Sequence, residues 1–324
     1  MPAGFVDLQV NGFAGRDFSS PALTYDDVAA VAEALARRGT AAFCPTVVTS
    51  PPAVYEHVLP ILARAARDAG LPSRVLGIHL EGPFISPADG AVGAHPRAHV
   101  QPASLTALDH LLDLCEGRLR LITLAPEVDG AIELIVRARE AGLAVSIGHT
   151  LAGAEQIAQA VRAGATLSTH LGNGCPNQIH RHDNPIWPQL AEAALTAMLI
   201  TDGHHLPPAV IRAVLAAKGP GRVIVTSDSV SVAGLPPGPY ETLGTKVVLE
   251  PSGRVRNLNA PTLAGSSACM MDCMNHLAGL GALSEADLWR VGRDNALAAI
   301  GAPATACHGG ETVRWDGRAF RVER

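Results

Sequence analysis

Eight short apolar runs, separated by segments with the spacing of amphipathic helices, constrain the fold of this chain most strongly. Several of the helical segments end at a glycine, which is typical of a helix C-terminus. Strands that alternate with helices predict a parallel sheet, because parallel neighbours need a crossover connection between them. The predicted strands are Phe5–Val10, Ala41–Val48, Val75–Leu80, Leu119–Ala125, Ala144–Gly148, Leu167–Thr169, Leu195–Ile200 and Val223–Thr226.

Eight strand–helix units predict a closed (β/α)₈ barrel, the TIM barrel of the α/β class, and 324 residues are a normal length for it. We expect residues 1–300 to form the barrel, with an extra hairpin near 246–258. Residues 301–324 should form a tail with a short hairpin, because Asp316-Gly317 is a turn signal. The predicted helices are Tyr25–Arg38, Ala53–Ala69, Ser104–Cys115, Gly130–Ala141, Ala154–Ala163, Pro207–Ala217, Ala264–Leu280 and Glu285–Ile300.

Composition and charge argue against several classes of function. A net charge of -5 and an aromatic content of 4% leave no basic stripe or stacking platform for nucleic acid. No apolar run approaches the ~20 residues that cross a bilayer. The N-terminal residues lack the basic and apolar regions of a secretory signal, so we expect a cytoplasmic protein. The six cysteines form no C-x-x-C pair, which indicates reduced, structural thiols.

Residues of metal-binding type follow three of the predicted strands. Glu81 ends the third strand, His149 follows the fifth and His170 follows the sixth. In a barrel of this kind the chemistry lies at the C-terminal ends of the strands. A glutamate and two histidines suit a borderline divalent ion such as Zn²⁺ or Fe²⁺, with a position left open for water. One such residue alone would be an ordinary polar residue; three together predict a metal site.

Asp228 closes the eighth predicted strand and should face the same end of the barrel. A carboxylate there can accept a proton from water at the metal and return it to a leaving group. The alternative is that Asp228 only caps the following turn. The barrel context favours the catalytic interpretation.

Five motifs, taken together and in order, resemble those of the N-acetylglucosamine-6-phosphate deacetylase family of the amidohydrolase superfamily. The resemblance covers nearly the whole chain and is specific at the level of the family, because five motifs occur in one order. The motifs are His79-Leu-Glu81-Gly-Pro-Phe, Gly148-His149-Thr, Thr169-His170-Leu, Asp202-Gly-His-His205 and Leu263-Ala-Gly-Ser266.

The resemblance implies a reaction and a set of residues. Glu81, His149 and His170 would hold one divalent ion per subunit, Zn²⁺ before Fe²⁺, and Asp228 would be the general acid/base. The reaction would be hydrolysis of the acetamide of N-acetylglucosamine-6-phosphate, or of a closely related N-acetylated amino sugar, to acetate and the free amine. Substrate contacts would come from His95, Asn173, Gly174 and His205, and from Arg181 of the neighbouring subunit in a homodimer.

Three departures from the family pattern carry expectations of their own. Gln9-Val10-Asn11 stands where many superfamily members have His-x-His after the first strand, which predicts a mononuclear centre. Residues 171–176 and 180–187 differ from the usual pattern in the region that should hold the sugar and its phosphate. The family usually adds a small β-sandwich, but here the first barrel strand begins at once, so we expect that accessory domain to be reduced or absent.

Two other functions stay open on the sequence alone. The first is an amidohydrolase that acts on a different N-acyl or cyclic amide, which need not be phosphorylated. The second is a catalytically silent sugar-binding barrel. Bound metal and release of acetate would separate the second from the enzymes, and the effect of the 6-phosphate on turnover would separate the two enzymes.

Overall fold

Eight parallel strands form the central sheet of the chain, whose computed structural model describes residues 4–307 and 310–323. They follow one another in chain order, each hydrogen-bonded to the next, as a barrel requires. The eight predicted strands are confirmed, although the third is interrupted at Leu76 and Gly77. We label them β1 Phe5–Val10, β2 Thr40–Val48, β3 Ile78–Glu81, β4 Leu119–Leu124, β5 Ala144–Ile147, β6 Leu167–Ser168, β7 Thr196–Ile200 and β8 Val223–Thr226.

A buried carboxylate joins the first and last strands of the barrel. Asp7 of β1 accepts hydrogen bonds from the hydroxyls of Thr226, at 2.7 Å, and Ser227. Just past the strand ends, a backbone hydrogen bond from Asn11 N to Ser229 O, 2.8 Å long, crosses the same seam. Burial raises the pKa of Asp7, and the hydrogen bonds that it accepts oppose this effect. The seam is therefore closed by polar contacts directly beneath the C-terminal mouth of the barrel.

The helices surround the strands and pack apolar residues onto them. The helices predicted before β8 are all present, with small shifts at their ends. The helix predicted from Ala264 begins only at Met270, and the one predicted over Glu285–Ile300 is divided by a π-helical turn at Arg290–Asp294. The α-helices are Tyr25–Ala36, Pro52–Arg67, Leu105–Leu114, Ala131–Glu140, Ala154–Ala163, Ile186–Ala191, Pro208–Lys218, Met270–Gly279, Glu285–Trp289 and Asn295–Ala299.

A three-stranded antiparallel sheet lies beside the mouth of the barrel. The hairpin predicted near 246–258 corresponds to β10 (Thr245–Leu249) and β11 (Val255–Asn257), while β9 (Gly238–Thr242) is a strand that the sequence did not predict. Val247 packs in one buried cluster with Val48, the last residue of β2. The small sheet is thus fixed to the end of the barrel that carries the strand C-termini.

A hairpin of β12 (Val313–Trp315) and β13 (Phe320–Val322) covers the opposite end of the barrel. The Phe320 ring lies against Phe5 and Trp289, with ring centroids 5.0 and 5.1 Å apart. Since Phe5 begins β1, the hairpin closes the N-terminal end of the strands, away from the predicted site.

The cysteines are buried thiols of low reactivity. All six are unpaired, as predicted, and all except Cys175 are buried. Burial raises the pKa of Cys175, and it raises the pKa of Cys269 to about 12, so these thiols stay protonated at neutral pH. In the ranges that the structure describes, no helix has both the length and the apolar character needed to cross a membrane.

Candidate metal centre and catalytic cavity

A cavity of about 290 Å³ opens at the C-terminal ends of the barrel strands. A wider cleft of about 800 Å³ beside it shares Val48 and Leu243 with the cavity but contains none of the predicted site residues. Arg181 is exposed on the loop after β6 and does not line the cavity of its own chain. The other predicted site residues all line it: Glu81, His95, His149, His170, Asn173, Gly174, His205 and Asp228.

The side chains of Glu81, His149 and His170 approach one another closely inside this cavity. His170 Nε2 lies 3.0 Å from Glu81 Oε1 and 3.2 Å from His149 Nε2, and His149 Nε2 lies 3.3 Å from Glu81 Oε1. At the usual zinc bond lengths, the ligand atoms of a tetrahedral ion are separated by about 3.3 Å. All three residues are buried, so these groups have the spacing and the donor types of a site that can hold a divalent metal ion.

His95 also approaches Glu81, with 3.6 Å between His95 Nε2 and Glu81 Oε2, and could replace His170 in such a group. The backbone N–H of Thr49 donates to His95 Nδ1 at 3.3 Å, so the proton of the neutral ring is on Nε2. Burial lowers the pKa of His95 to about 4, which keeps the ring neutral at pH 7. In this arrangement His95 is a hydrogen-bond donor to the site.

His149 has the opposite tautomer. Its Nδ1 lies 2.7 Å from the carbonyl oxygen of Ala91, and because a carbonyl can only accept, Nδ1 carries the proton. The lone pair is then on Nε2, which faces Glu81 and His170. Histidines that bind metals commonly donate their other ring N–H to a backbone carbonyl in this way. His149 thus offers the lone pair of Nε2 to the group, whereas the contact of His95 with Thr49 places the proton of His95 on Nε2.

Three residues of the site have left-handed backbone conformations: φ is 51° at His149, 30° at His170 and 51° at Asp228. Such conformations cost about 1–3 kcal/mol in residues other than glycine and concentrate at functional sites. Gly174 packs directly on the two histidines, because a Cβ at this position would lie 3.1 Å from His170 Cε1 and 3.2 Å from His149 N.

Asp228 lies in the same cavity and is held by two side-chain amides. Asn11 Nδ2 lies 2.7 Å from Asp228 Oδ1, and Gln9 Nε2 lies 3.0 Å from the same oxygen. Gln9 Nε2 also lies 2.8 Å from Glu81 Oε1, so one amide donates to both carboxylates. The sequence predicted that Gln9 and Asn11 replace metal-binding histidines; their contacts with the carboxylates were not foreseen.

The two carboxyl groups of the site differ in acidity. Burial and the negative charge of Glu81 raise the pKa of Asp228 to about 6. Burial also opposes ionisation of Glu81, but its contacts with His149, His170 and His95 hold its pKa well below the ordinary value. Glu81 is therefore ionised at neutral pH, whereas Asp228 can exchange a proton there.

His205 is oriented toward the cavity by an acidic partner. Its Nδ1 lies 2.8 Å from Asp202 Oδ2, and Ser266 Oγ donates to the same oxygen at 3.0 Å. Although burial opposes it, the hydrogen bond from His205 lowers the pKa of Asp202 below its usual range. Because Nδ1 of His205 is hydrogen-bonded to Asp202, Nε2 is the ring nitrogen that could form a hydrogen bond with a substrate.

A layer of hydrogen-bonded side chains lies inside the barrel beneath these residues. His79 Nε2 lies 2.8 Å from Thr123 Oγ1, which lies 2.7 Å from Thr169 Oγ1, and Thr169 also contacts Ser146 Oγ. Burial lowers the pKa of His79 to about 4, so the ring is neutral. His79, two residues before Glu81 on β3, thus lies in a layer that supports the site.

A (β/α)₈ barrel with a glutamate, two histidines and an aspartate at the C-terminal ends of its strands is a hydrolase barrel of the amidohydrolase type. No protein-family model matches the chain. The chain is 36% identical over 283 residues to the N-acetylglucosamine-6-phosphate deacetylase of Danio rerio, which is 84% of this chain and 68% of the relative. The chain therefore belongs to the N-acetylglucosamine-6-phosphate deacetylase family, and the predicted resemblance is confirmed.

Two other relatives agree with this assignment. The N-acetylgalactosamine-6-phosphate deacetylase of Escherichia coli O157:H7 is 32% identical over 263 residues, or 81% of this chain and 68% of the relative. A solved structure of a mutant N-acetyl-D-glucosamine-6-phosphate deacetylase from Mycobacterium smegmatis, in complex with N-acetyl-D-glucosamine-6-phosphate, matches with a TM-score of 0.89 and 30% identity. That match covers 100% of this chain and 85% of the other, which confirms the predicted fold.

Proposed function

We propose that this chain hydrolyses the acetamide of N-acetylglucosamine-6-phosphate to acetate and the free amino sugar. The observation that carries this proposal is the approach of Glu81, His149 and His170 within 3.3 Å of one another, in the cavity that also contains Asp228, in a member of this family. These three ligands would hold one divalent ion, and two nitrogens with one oxygen suit Zn²⁺ first and Fe²⁺ second. When bound, such an ion supplies a Lewis acid that polarises a carbonyl and acidifies water.

Asp228 carries the proton in this reaction. It accepts a proton from the attacking water and then gives it to the nitrogen of the departing amine, a task that suits its pKa of about 6. Asn11 and Gln9 hold the carboxylate in place through their amide donors. His95, neutral and with its proton on Nε2, is a donor to the oxygen that becomes negative as water adds. One such donor typically contributes about 3 kcal/mol to catalysis.

The sugar phosphate would be bound by the remaining residues. His205 presents Nε2 to the cavity, and Asn173 and Gly174 line it after β6. In a homodimer, Arg181 of the partner subunit would bind the phosphate by charge-assisted hydrogen bonds. The exposure of Arg181 on a loop outside its own cavity supports a role toward a second subunit.

A second candidate substrate is the galacto epimer, N-acetylgalactosamine-6-phosphate. It is favoured by the similarity of the chain to the Escherichia coli O157:H7 enzyme named for that substrate. Both epimers carry the same acetamide and the same phosphate, so the same residues would act on either. Comparison of kcat/KM on the two sugar phosphates decides between them.

The test is acetate release from the two sugar phosphates and from unphosphorylated N-acetylglucosamine, with metal analysis of the purified protein. We expect about one metal ion per chain and a kcat/KM at least tenfold higher with the 6-phosphate. Asp228→Asn should abolish turnover and leave the metal content unchanged, whereas the exposed control Asp113→Asn should behave as wild type. Absence of acetate release from all three sugars, or full turnover by Asp228→Asn, would contradict the proposal.

A further inference from the structure

The turn between β10 and β11 lies at the mouth of the cavity and is tied to the barrel from two sides. His204 Nε2 lies 3.0 Å from Ser252 O, and Ser267 Oγ donates to Gly253 O. The next residue, Arg254, lines the cavity, and its backbone is fixed by a hydrogen bond from its N–H to Ser252 Oγ at 3.3 Å. The position of Arg254 is therefore set by the barrel itself.

Arg254 supplies a positive charge at the mouth of the cavity. Glu81 and Asp228 line the same cavity, and among the described residues Arg254 is the one arginine or lysine that does so. A positive charge at the mouth attracts an anionic substrate into the cavity. Because Arg254 lies at the mouth, it can bind an anion that does not contact Glu81 or Asp228, which lie deeper in the cavity.

The guanidinium of Arg254 is available to a ligand. Arg254 forms no ion pair with any residue in the described ranges, whereas Arg256, two positions further on, pairs with Glu250 at 3.1 Å. Val255 between them is buried, so both arginines lie on the exposed side of the strand. The two arginines therefore differ in ion pairing: the charge of Arg256 is balanced by Glu250 within the small sheet, whereas the charge of Arg254 has no partner among the described residues.

A second unpaired polar group lies in the same wall. The segment that contains Thr262 runs antiparallel to β11, with Asn257 N donating to Thr262 O at 3.2 Å. Thr262 lines the cavity, and its hydroxyl is buried without a hydrogen-bond partner among the described residues. A buried hydroxyl that lacks a protein partner is expected to find one in a ligand or in water.

We propose that Arg254, together with the hydroxyl of Thr262, binds the 6-phosphate of the substrate within the same chain; this rests on the function proposed above. Arginine suits the task because its planar guanidinium can donate two parallel hydrogen bonds to phosphate oxygens. The phosphate is then held from within the subunit at the mouth of the cavity, and a partner's Arg181 adds to this contact. Arg254 is a specificity-determining residue, since it distinguishes phosphorylated from unphosphorylated sugars.

The experiment compares Arg254→Gln with the matched control Arg256→Gln, which removes the same charge two residues away. For each protein, kcat/KM is measured on N-acetylglucosamine-6-phosphate and on N-acetylglucosamine, and the inhibition constant is measured for the product glucosamine-6-phosphate. Arg254→Gln should lower the preference for the phosphorylated substrate about tenfold or more, mainly through KM, and weaken product inhibition by a similar factor. Arg256→Gln should leave both ratios within about twofold of wild type.

The outcomes separate this inference from the function on which it rests. A wild-type enzyme that prefers the phosphorylated sugar, with the same preference and the same product inhibition in Arg254→Gln, would overturn the inference alone. So would an equal loss in both arginine variants. A wild-type enzyme without any preference for the phosphorylated sugar would overturn the proposed substrate and the inference together.

Discussion

Asn11 Nδ2 donates to Asp228 Oδ1 over 2.7 Å, although the two residues are 217 positions apart in the sequence. Asn11 follows β1 and Asp228 follows β8, so the contact crosses the seam of the barrel at the proposed general acid/base. Asn11 Oδ1 is buried and has no hydrogen-bond partner among the described residues. The side-chain amide of Asn11 therefore makes one hydrogen bond to the protein, from Nδ2 to Asp228. Asn11 is therefore a positioning residue for this carboxylate.

Replacing Asn11 by alanine should lower kcat more than it raises KM. A hydrogen bond to a charged group is worth about 1.5–3 kcal/mol, so we expect kcat to fall about tenfold to a hundredfold. The metal content should stay at the wild-type level, because Asn11 does not contact the three ligands. The exposed Asn259→Ala variant is the control. Wild-type kcat in Asn11→Ala would show that Gln9 alone positions Asp228.

His95 and His170 should respond differently to truncation. His170→Ala removes a ligand atom, so we expect the metal content to fall far below one per chain. His95→Ala should keep its metal but lose about a hundredfold in kcat, because His95 carries its proton on Nε2 and acts as a donor. Metal analysis after dialysis, together with steady-state kinetics, separates the two effects. Loss of metal from His95→Ala would mean that His95, and not His170, is the ligand.

Asp7→Asn should destabilise the barrel. The new amide would place donor hydrogens against the hydroxyls of Thr226 and Ser227, which now donate to Asp7. A broken buried network of this kind typically costs about 2–4 kcal/mol in the free energy of unfolding. Thr226→Val, which removes one donor at nearly constant shape, should cost about 1 kcal/mol. Urea denaturation measures both values, and equal stability of Asp7→Asn and wild type would contradict this account of the seam.

Asp202→Asn should reduce stability most at neutral pH. The pKa of Asp202 is lower in the folded state than its ordinary value of 3.8, chiefly through its bond to His205 against the opposing effect of burial. Between the folded and unfolded pKa values the unfolded state binds more protons, so the contribution is complete above about pH 4 and is lost as the pH falls. Urea denaturation at pH 7 and pH 3 should show a smaller difference between variant and wild type at pH 3. A difference that is equal at both pH values would contradict the pairing.

The barrel, and the meeting of Glu81, His149 and His170 at one end of it, could be predicted from the sequence because their signals are local. Each strand is an apolar run, and Glu81, His149 and His170 directly follow such runs, so the fold alone brings them to one end. The resemblance added the order of the motifs, and the comparisons confirmed the family.

The remaining features depend on contacts that no local pattern encodes. The bridge from Gln9 to Glu81 joins residues 72 positions apart, and the protonation of His95 depends on the N–H of Thr49 that meets its Nδ1. β9 was missed because Gly238 and Pro239 at its start are typical of a turn, and only pairing with β10 makes them a strand. Arg254 lies in an ordinary hairpin sequence, and only the position of that hairpin over the cavity gives it a role.

Gly174 offers a test of how closely the proposed metal ligands His149 and His170 are packed. It has φ of +61°, and Gly281 has φ of +63°, so alanine at either position meets the same backbone strain of about 1 kcal/mol. A Cβ at Gly281 would meet no atom within 4 Å, whereas one at Gly174 would lie 3.1 Å from His170 Cε1. Gly174→Ala should therefore lose at least about tenfold in metal affinity by displacing the imidazole, and Gly281→Ala should not. Metal titration with a competing chelator measures the difference, and equal affinities would mean that the histidines can shift without loss of binding.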